Sequence, residues 1–340
     1  MITRKDIALA AGVSVSVVSR ALNNSGYVDK EKKARIIRLA EEMGYQVNPV
    51  AISLATRRTR QLLFFCPELE NAFNIELYEG MVAEARKRGY MVVIQADVDF
   101  NYVKGLMVDG VVFPNPYLAE CFLESEGKNY VLPAVCATFG NTRCFNRSIP
   151  VVDCDAMAAM NLALRYLQKK GHRKIAAVMP YSLASKEVRI TAWKDYAQSC
   201  RVMKDVQSYF FGADTEDPAG QLNRPERFFE KGLSAGERFA RKQSDATAVV
   251  CFNDEMALGF YKSLRKYDYS VPEDISILSI DAVFCRQYCD VDITSVALNP
   301  KEIGAQCVDL LLRYLNGDHP KYVRNVKPKL MEGTSVKEIG

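Results

Sequence analysis

The sequence predicts a small all-α module at the N-terminus, followed by an α/β body that folds as two doubly wound lobes. Three observations support this fold class. The first 60 residues carry 11 Lys/Arg against 5 Asp/Glu, whereas the other 280 carry 34 against 36. Capping signals divide the basic segment into short helices. After residue 60, apolar runs alternate with amphipathic helices in two successive series, a pattern typical of parallel sheets.

The composition is that of an ordinary globular protein with two or three packed units, since the chain has 340 residues and is 49% hydrophobic. The sequence has no run of 18 apolar residues, and its N-terminus carries charges where a secretory signal would have its apolar core. We therefore expect a cytoplasmic protein that does not enter a membrane. The ten scattered cysteines are then expected to be reduced and mostly buried.

Two short helices are predicted at the start of the basic segment. Thr3 and Asp6 form the pattern of a helix cap with an acidic third residue, and the first helix should end near Gly12. Ser14 can cap a second helix that runs to Asn23. The predicted inward faces are Ile7, Ala8 and Ala11 in the first helix and Val18 and Leu22 in the second. Two short helices with a tight turn form a helix-turn-helix, whose second helix enters the major groove of DNA.

A third helix is predicted after Asp29, which can cap it, and should stop at Gly44. Its predicted inward positions are Ala34, Ile37, Ala40 and Met43. The residues alone leave two interpretations open: a DNA-binding module, or a helical packing module that binds no DNA. The excess of positive charge is typical of a nucleic-acid contact region, although a solvated charged face has the same composition.

The basic linker after the third helix carries the signals of a very short helix. Asn48 can cap it, Pro49 suits its first position, and three arginines follow within ten residues of Val50. Such a helix is too short to be stable alone, so it would form only when held against something. A DNA minor groove could hold it, with Leu54 as an apolar wedge between base steps.

These segments resemble a known family in order and over the whole chain. IALAAGVSVSVVSRALNNSGYV and EEMGYQVNPVAISLATRRT resemble the head and hinge of the LacI/GalR (lactose-repressor type) bacterial transcription regulators. The later segments that resemble the family include LLFFCPELENAF, KKGHRKIAAV, VRITAWKDY, AVVCFNDEMALG, VPEDISILSIDA and TSVALNP. The resemblance implies a helix-turn-helix domain at 1–46, a hinge helix and linker at 47–60, and an effector-binding and dimerisation domain at 61–340.

The resemblance also implies which head residues contact DNA. The base-reading residues of the second helix would be Val15, Ser16 and Arg20. The residues that hold phosphates or flanking bases would be Arg4, Lys5, Ser19, Asn23 and Tyr27. The hinge residues that insert at the operator centre would be Asn48, Ala51 and Leu54. Arg20 is the strongest of these candidates, because a bidentate arginine–guanine contact discriminates by about 1–3 kcal/mol.

The body is implied to have the fold of a periplasmic binding protein, with the chain crossing between its lobes three times. The predicted first lobe comprises residues 61–154 and 285–316. The predicted second lobe comprises residues 155–284 and 317–340. Two α/β lobes of this kind place a cleft at the carboxyl ends of their strands.

Candidate effector contacts directly follow predicted strands, at positions where the family commonly contacts its ligand. Asn253 and Asp254 follow AVVCF, Asp281 follows ISILSI, Arg189 opens the helix after KIAAVMP, and Phe73 could stack on a sugar face. Carboxylates accept pairs of sugar hydroxyls and arginine donates to oxygens, so the set suits a hydroxyl-rich ligand. Each residue also has a structural interpretation, because the aspartates could cap helices and the phenylalanine could lie in the core.

Three features depart from the family pattern. Val47 stands where the family usually has proline, Ala282 stands where a second aspartate is common, and the segment 97–107 is shorter than usual. These departures bear on the identity of the effector more than on the fold.

An enzyme is not expected. The two histidines, His172 in the turn GHRK and His319 beside a proline, lie in no nucleophile or metal motif, and neither GxSxG nor GxxxxGK occurs. Cys285 and Cys289 form a single pair without partner ligands. We therefore expect no catalytic residue, no metal and no cofactor. A small-molecule-binding protein without DNA function is disfavoured by the intact head and hinge.

The sequence thus predicts a homodimeric, nucleoid-associated regulator of a pseudo-palindromic operator in double-stranded DNA. The most favoured role is a repressor of a sugar-utilisation operon that responds to a sugar or sugar derivative in the cleft. A purine or phosphorylated-sugar corepressor is the alternative. Dimer contacts are expected near residues 75–87 and 115–124, and the absence of a C-terminal leucine heptad predicts a dimer rather than a tetramer.

Overall fold

The computed structural model divides into two compact units, Met1–Thr59 and Arg60–Gly340, which are called the head and the body. Two predicted hinge residues, Asn48 and Ala51, lie outside the described residues, as do residues 98 and 101–104 of the shortened segment, Cys144 and His319. The structure describes residues 2–23, 25–46, 53–54, 56–97, 99–100, 105–126, 132–138, 149–213, 227–318 and 323–340.

Three α-helices of the head are described from end to end, and their ends follow the predicted caps. The helices are α1 (Arg4–Ala11), α2 (Val15–Asn23) and α3 (Lys30–Glu42). The Thr3 backbone N–H donates to the carboxylate of Asp6 at 2.8 Å, as in a capping box, and the Thr3 hydroxyl donates to the same carboxylate at 2.7 Å. Gly12 ends α1 in the left-handed region with φ 65°. The Asp29 carboxylate accepts from two backbone N–H groups of α3 at 3.1 Å each.

The head has its own apolar core, and α3 contributes two of its four predicted inward residues, Ala40 and Met43, to it. The buried members of this core are Ile7, Ala8, Ala11, Val18, Ala21, Ile36 and Ala40. Ala34 and Ile37, predicted inward, are exposed, while Ile36 is buried and Leu39 is half-buried. Both sets place apolar residues at helical spacing. The observed set has Ile36 and Leu39 in place of Ala34 and Ile37, so it removes more apolar area from water.

The first lobe of the body is a six-stranded parallel sheet, in the order β11-β5-β4-β3-β1-β2. Short apolar runs with β-branched and aromatic residues form its inner strands, as expected for strands buried on both faces. The strands are β1 (Gln61–Phe65), β2 (Met91–Gln95), β3 (Gly110–Phe113), β4 (Ala134–Thr138), β5 (Val151–Cys154) and β11 (Val323–Val326). The described helices of this lobe are α4 (Ala72–Lys87), α5 (Pro116–Glu126) and α10 (Pro300–Leu315).

The second lobe repeats this plan in the order β12-β10-β9-β8-β6-β7, with only the β10–β12 pair antiparallel. Its strands are β6 (Ile175–Val178), β7 (Phe210–Phe211), β8 (Ala248–Cys251), β9 (Ser276–Asp281), β10 (Thr294–Ala297) and β12 (Lys329–Met331). Its described α-helices are α6 (Ala156–Lys169), α7 (Val188–Ser199), α8 (Phe228–Lys242) and α9 (Asp254–Arg265). The predicted fold class, a helical head with two doubly wound α/β lobes, is confirmed.

The chain crosses between the lobes three times, and two crossings differ from the predicted boundaries at 284/285 and 316/317. The first crossing lies at Asp155, between β5 and α6. The second lies after β10, because β10 pairs with β9 of the second lobe. The third follows β11, which pairs with β5 of the first lobe before β12 returns. Short apolar runs such as those of β10 and β11 suit either sheet, so only strand pairing assigns them to a lobe.

Helices α4 and α10 pack closely in the first lobe because each helix has a glycine at the point where it meets the backbone of the other. A Cβ atom added at Gly80 would stand 2.0 Å from the carbonyl oxygen of Lys301, and one added at Gly304 would stand 2.0 Å from that of Leu77. These contacts leave no room for a side chain. The two glycines therefore fix the position of α4, which begins beside the cleft.

The cysteines and the lengths of the helices bear on two further expectations from the sequence. Among the described residues, all nine cysteines are free thiols and six of them are buried, which confirms the prediction of reduced, mostly buried thiols. No single described helix is long and apolar enough to span a membrane. The bent pair α1 and α2 passes that test only when the two are taken together.

We predict that Gly80→Ala destabilises the first lobe by about 1–3 kcal/mol, because the added methyl group overlaps the backbone of α10. The free energy of unfolding, followed by circular dichroism in denaturant, measures the change. Gly105→Ala is the matched control, since a Cβ at Gly105 would contact nothing within 4 Å. Equal stability of the two variants would contradict the close packing.

Candidate functional site

The outward face of α2 is small and polar. Val15 is 41% exposed, and Ser16, Arg20 and Asn23 are also exposed. The opposite face carries the buried Val18 and packs into the head core. Because the exposed side chains are short apart from the arginine, this helix can approach another surface closely.

Arg20 lies along this face with a guanidinium group that is largely available. Its Nε donates to the carbonyl oxygen of Ser16 at 3.4 Å, which is a long hydrogen bond. Its aliphatic stem passes Gly26, where an added Cβ would stand 3.3 Å from the Arg20 Cδ. The planar nitrogens can therefore turn toward a bidentate acceptor such as the edge of guanine.

Other predicted DNA residues differ in their surroundings. Arg4 is half-buried, and its guanidinium donates to the Tyr45 hydroxyl at 3.1 Å and to the Ser19 hydroxyl at 3.2 Å. Arg4 thereby joins α1 to α2 and to the residues after α3. Tyr27 and Leu54 are 86% and 75% exposed, and Lys5 is exposed as well. The assignment of these residues to DNA stays a prediction.

In the body, Arg189 occupies the start of α7 and is held from three sides. Its Nε donates to Glu187 Oε1 at 2.8 Å, and its Nη1 donates to the carbonyl oxygen of Phe252 at 3.2 Å. The guanidinium carbon lies 3.4 Å from the centre of the Phe252 ring, which is a cation–π contact. The arginine is buried, so its position is defined before any ligand arrives.

Glu187 is a functional candidate that the sequence reasoning missed. Its Oε2 accepts the backbone N–H groups of Arg189 and Ile190 at 2.8 and 3.1 Å, which caps α7. Its Oε1 forms the ion pair with Arg189, and both side chains are about 10% exposed. The spacing Glu-x-Arg at a helix start is the signal that could have identified this pair.

Asn253 and Asp254 are bonded within the second lobe. Asn253 caps α9 by accepting the Met256 N–H at 2.9 Å. The fully buried Asp254 carboxylate accepts from the hydroxyls of Ser279 and Ser295 and, at 2.6 Å, from the Val283 N–H. Burial raises the pKa of Asp254 to about 6. The capping interpretation thus fits Asn253, while Asp254 joins β9, β10 and the loop after β9.

Asp281 differs because it lines a cavity of about 260 Å³ at the junction of the lobes. The residue is 7% exposed, and its φ of 108° turns the chain sharply at the end of β9. Within the described residues, its carboxylate accepts no hydrogen bond. Burial raises its pKa well above the usual range, and the charge of Asp254 adds to that rise. The cavity is lined by Glu76, Asp281, Ala282, Ala297, Asn299, Pro300, Lys301 and Glu302.

Two carboxylates join the lobes across the cleft. Glu255 of α9 accepts the Ala72 N–H at the start of α4 at 2.7 Å, and Glu76 of α4 accepts the Phe284 N–H at 2.9 Å. Phe73, predicted to stack on a ligand, is buried in the core beside this contact. Both inter-lobe bonds must break or stretch when the lobes separate.

The one described histidine of the body has a structural role. His172 is buried, with its Nδ1 3.0 Å from the Thr247 hydroxyl and its Nε2 3.1 Å from the Lys337 carbonyl oxygen. Burial lowers its pKa. No group of three metal-ligating side chains occurs within the described part of the chain.

Comparison with known families decides the class of protein. The family model of bacterial regulatory proteins, lacI family, matches residues 3–48. A periplasmic binding protein-like domain matches residues 164–336, about half of the chain. The chain belongs to the lacI family. It is a LacI-family DNA-binding repressor with a periplasmic-binding-protein-like body, and this family is not one of enzymes.

Curated relatives match along the whole chain. The HTH-type transcriptional repressor CytR of Escherichia coli (strain K12) is 28% identical over 326 residues, which cover 93% of this chain and 91% of that repressor. The HTH-type transcriptional repressor PurR of Vibrio atlanticus (strain LGP32) is 26% identical over 349 residues, which cover all of both chains.

Solved structures share the fold. A Lac repressor dimer bound to operator and the anti-inducer ONPF aligns with a TM-score of 0.77 at 19% identity, over 99% of both chains. A complex of the transcriptional regulator CelR with cellobiose aligns with a TM-score of 0.63 at 21% identity, over 98% of this chain and 100% of CelR.

We predict that Asp254 makes the stability of this LacI-family body depend on pH. Its folded pKa of about 6 is raised above the usual 3.8, so its contribution is present at low pH and is lost as the pH rises through 6. The unfolding free energy of the parent, relative to Asp254→Asn, should fall by about 1 kcal/mol between pH 5 and pH 7.5.

The fluorescence of Trp193, the only tryptophan and fully buried in the second lobe, reports this unfolding. The exposed Asp290 provides the matched control as Asp290→Asn. A pH-independent difference between the parent and Asp254→Asn would show that the carboxylate of Asp254 titrates normally.

Proposed function

We propose that this repressor acts as a homodimer that reads a pseudo-palindromic operator with α2 and responds to a small hydroxyl-rich effector in the inter-lobe cleft. The observation that carries the effector part is Asp281. A buried carboxyl group of a cavity-lining residue that accepts no hydrogen bond from the described residues can exchange hydrogen bonds with ligand hydroxyl groups. A sugar or sugar derivative supplies such donors in pairs, so control of a sugar-utilisation operon is the favoured role.

The named relatives support the proposed binding partners, which are operator DNA, a small effector and a second subunit. The aligned Lac repressor is a dimer on operator, and the aligned CelR holds cellobiose. In the regions predicted for dimer contacts, Ile75 and Tyr117 are each more than a third exposed, which suits an apolar interface. A cytoplasmic location follows from this role, since the operator is chromosomal DNA.

The coupling between cleft and operator is a free-energy difference between two arrangements of the lobes. An effector that bridges Asp281 and Arg189 would favour the closed arrangement, in which Glu255 and Glu76 make their inter-lobe bonds. Coupling of this kind changes operator affinity by about 5–150-fold. A purine or phosphorylated sugar that acts as corepressor is the alternative, and it would raise the operator affinity.

The test begins with the operator. The full chain is used to select tight binders from random duplex DNA, and the selected duplex is titrated with protein in the presence of uncharged sugars, nucleosides, purine bases and sugar phosphates. A palindromic consensus whose affinity falls with one uncharged sugar is expected. Absence of any sequence preference would overturn the DNA-reading role, and tighter binding with a purine would favour the alternative.

Arg20→Ala should reduce discrimination among operator sequences, because the guanidinium is the side chain on the outward face of α2 best suited to a bidentate base contact. A loss of about 1–3 kcal/mol is expected at one base pair of each half-site. Sequence profiles from random duplex DNA measure the change. Arg38→Ala, an exposed arginine of α3, is the control. An unchanged profile would mean that Arg20 contacts only phosphate.

Leu54→Ala should weaken operator binding about tenfold while leaving the affinity for effector unchanged, since the exposed leucine is proposed as an apolar wedge in the minor groove. Leu9→Ala, which removes another exposed leucine of the head, should have little effect. Gel-shift titration on the selected operator distinguishes them. Equal affinities of the two variants would remove Leu54 from the interface.

A further inference from the structure

The guanidinium of Arg189 is electrostatically satisfied before any effector binds. Glu187 lies 2.8 Å from its Nε, and the Phe252 carbonyl oxygen and ring occupy one Nη and one face. The ion pair is buried on both sides, so solvent screens it little. An arginine that binds a phosphate or carboxylate would instead keep two parallel N–H groups of its guanidinium free for that ligand.

The pair is also rigid, because the same glutamate is fixed to the backbone. Its second oxygen accepts two N–H groups at the start of α7, including that of Arg189 itself. Rotating Glu187 away to admit an anion would therefore uncap α7 as well as break the ion pair. The carboxylate has no easy route out of the site.

The rest of the cleft adds negative charge. Asp281 is in electrostatic range of Asp254, Glu255 and Glu76, and Arg189 is the group that opposes them. Lys301 lines the same cavity, but its ammonium group lies 2.9 Å from the carboxylate of Glu79. Two cations near Asp281 are thus each paired with a carboxylate of this chain.

We propose that Glu187 determines specificity by neutralising Arg189, so that the cleft accepts uncharged hydroxyl-rich effectors and rejects phosphorylated or carboxylated ones. This inference rests on the proposed function, since it concerns the same cleft. Arg189 then donates hydrogen bonds to an uncharged ligand, while Asp281 accepts hydrogen bonds from it. A bound phosphate would have to sit beside the carboxylate of Glu187, and Arg189 is already paired with that carboxylate.

Glu187→Gln tests the inference, because glutamine keeps an oxygen for the helix cap and loses the charge. Binding of inorganic phosphate to the full-length protein is measured by thermal shift against chloride at equal ionic strength. The parent and Arg189→Gln should respond equally, since phosphate then binds only elsewhere, including the basic head. Glu187→Gln should bind phosphate at least about tenfold more tightly, and the double variant with Arg189→Gln should lose this gain.

The control is Glu237→Gln, which breaks an exposed glutamate–arginine pair on α8 and should leave phosphate binding unchanged. No gain in Glu187→Gln would overturn the inference. So would a phosphate response of the parent that disappears in Arg189→Gln, a comparison that needs no Glu187 variant to fold. Ribose with ribose 5-phosphate, and adenosine with its monophosphate, serve as paired probes. Only the phosphorylated members should gain affinity in Glu187→Gln.

The outcome is separable from that of the operator experiment. A phosphate gain that depends on Arg189, together with an operator that ignores every uncharged probe, would leave the charge selection intact and overturn the proposed effector class. An uncharged effector that releases the operator, without a phosphate gain in Glu187→Gln, would retain the function and overturn the role of Glu187.

Discussion

The cleft of this repressor depends on one buried carboxylate. Asp254 starts α9 and accepts hydrogen bonds from β9, from β10 and from the loop that follows β9. These bonds hold the carboxyl end of the second sheet in one arrangement. Asp281, at the end of β9, is placed in its strained left-handed conformation by that arrangement and lines the cavity between the lobes. The desolvation of Asp254 is the cost of this order, and it is offset by three donors.

The charges around this carboxylate define what the cleft can accept. Three other carboxyl groups, those of Asp254, Glu255 and Glu76, act on Asp281, and Arg189 is already paired with Glu187. The same carboxylates that set the charge also carry the inter-lobe bonds through Glu255 and Glu76. Ligand selection and lobe closure are therefore connected through one group of side chains. A ligand that changes the hydration of this group changes the stability of the closed arrangement as well.

The structure of the head depends mostly on interactions between residues that are close in sequence. Caps at Thr3 and Asp29 and the left-handed Gly12 define the helices, and a small apolar core orients them. Arg4 shows where tertiary contacts add to this plan, since its guanidinium joins α1 to α2 and to Tyr45. The outward face of α2 keeps only one long charged side chain, Arg20. Its small neighbours favour close approach to the groove over many specific contacts.

The sequence by itself determined the helix caps of the head, the two α/β series and the positions of Arg189 and Asp281 after strands, because capping and periodicity are local properties. Only the tertiary structure decided which residues of α3 face the head core, the lobe to which β10 and β11 belong, and the burial of Asp254 and Phe73. These depend on which apolar surfaces meet and which strands pair. The partnership of Glu187 with Arg189 was also decided there, since an ion pair requires the fold to close around both side chains.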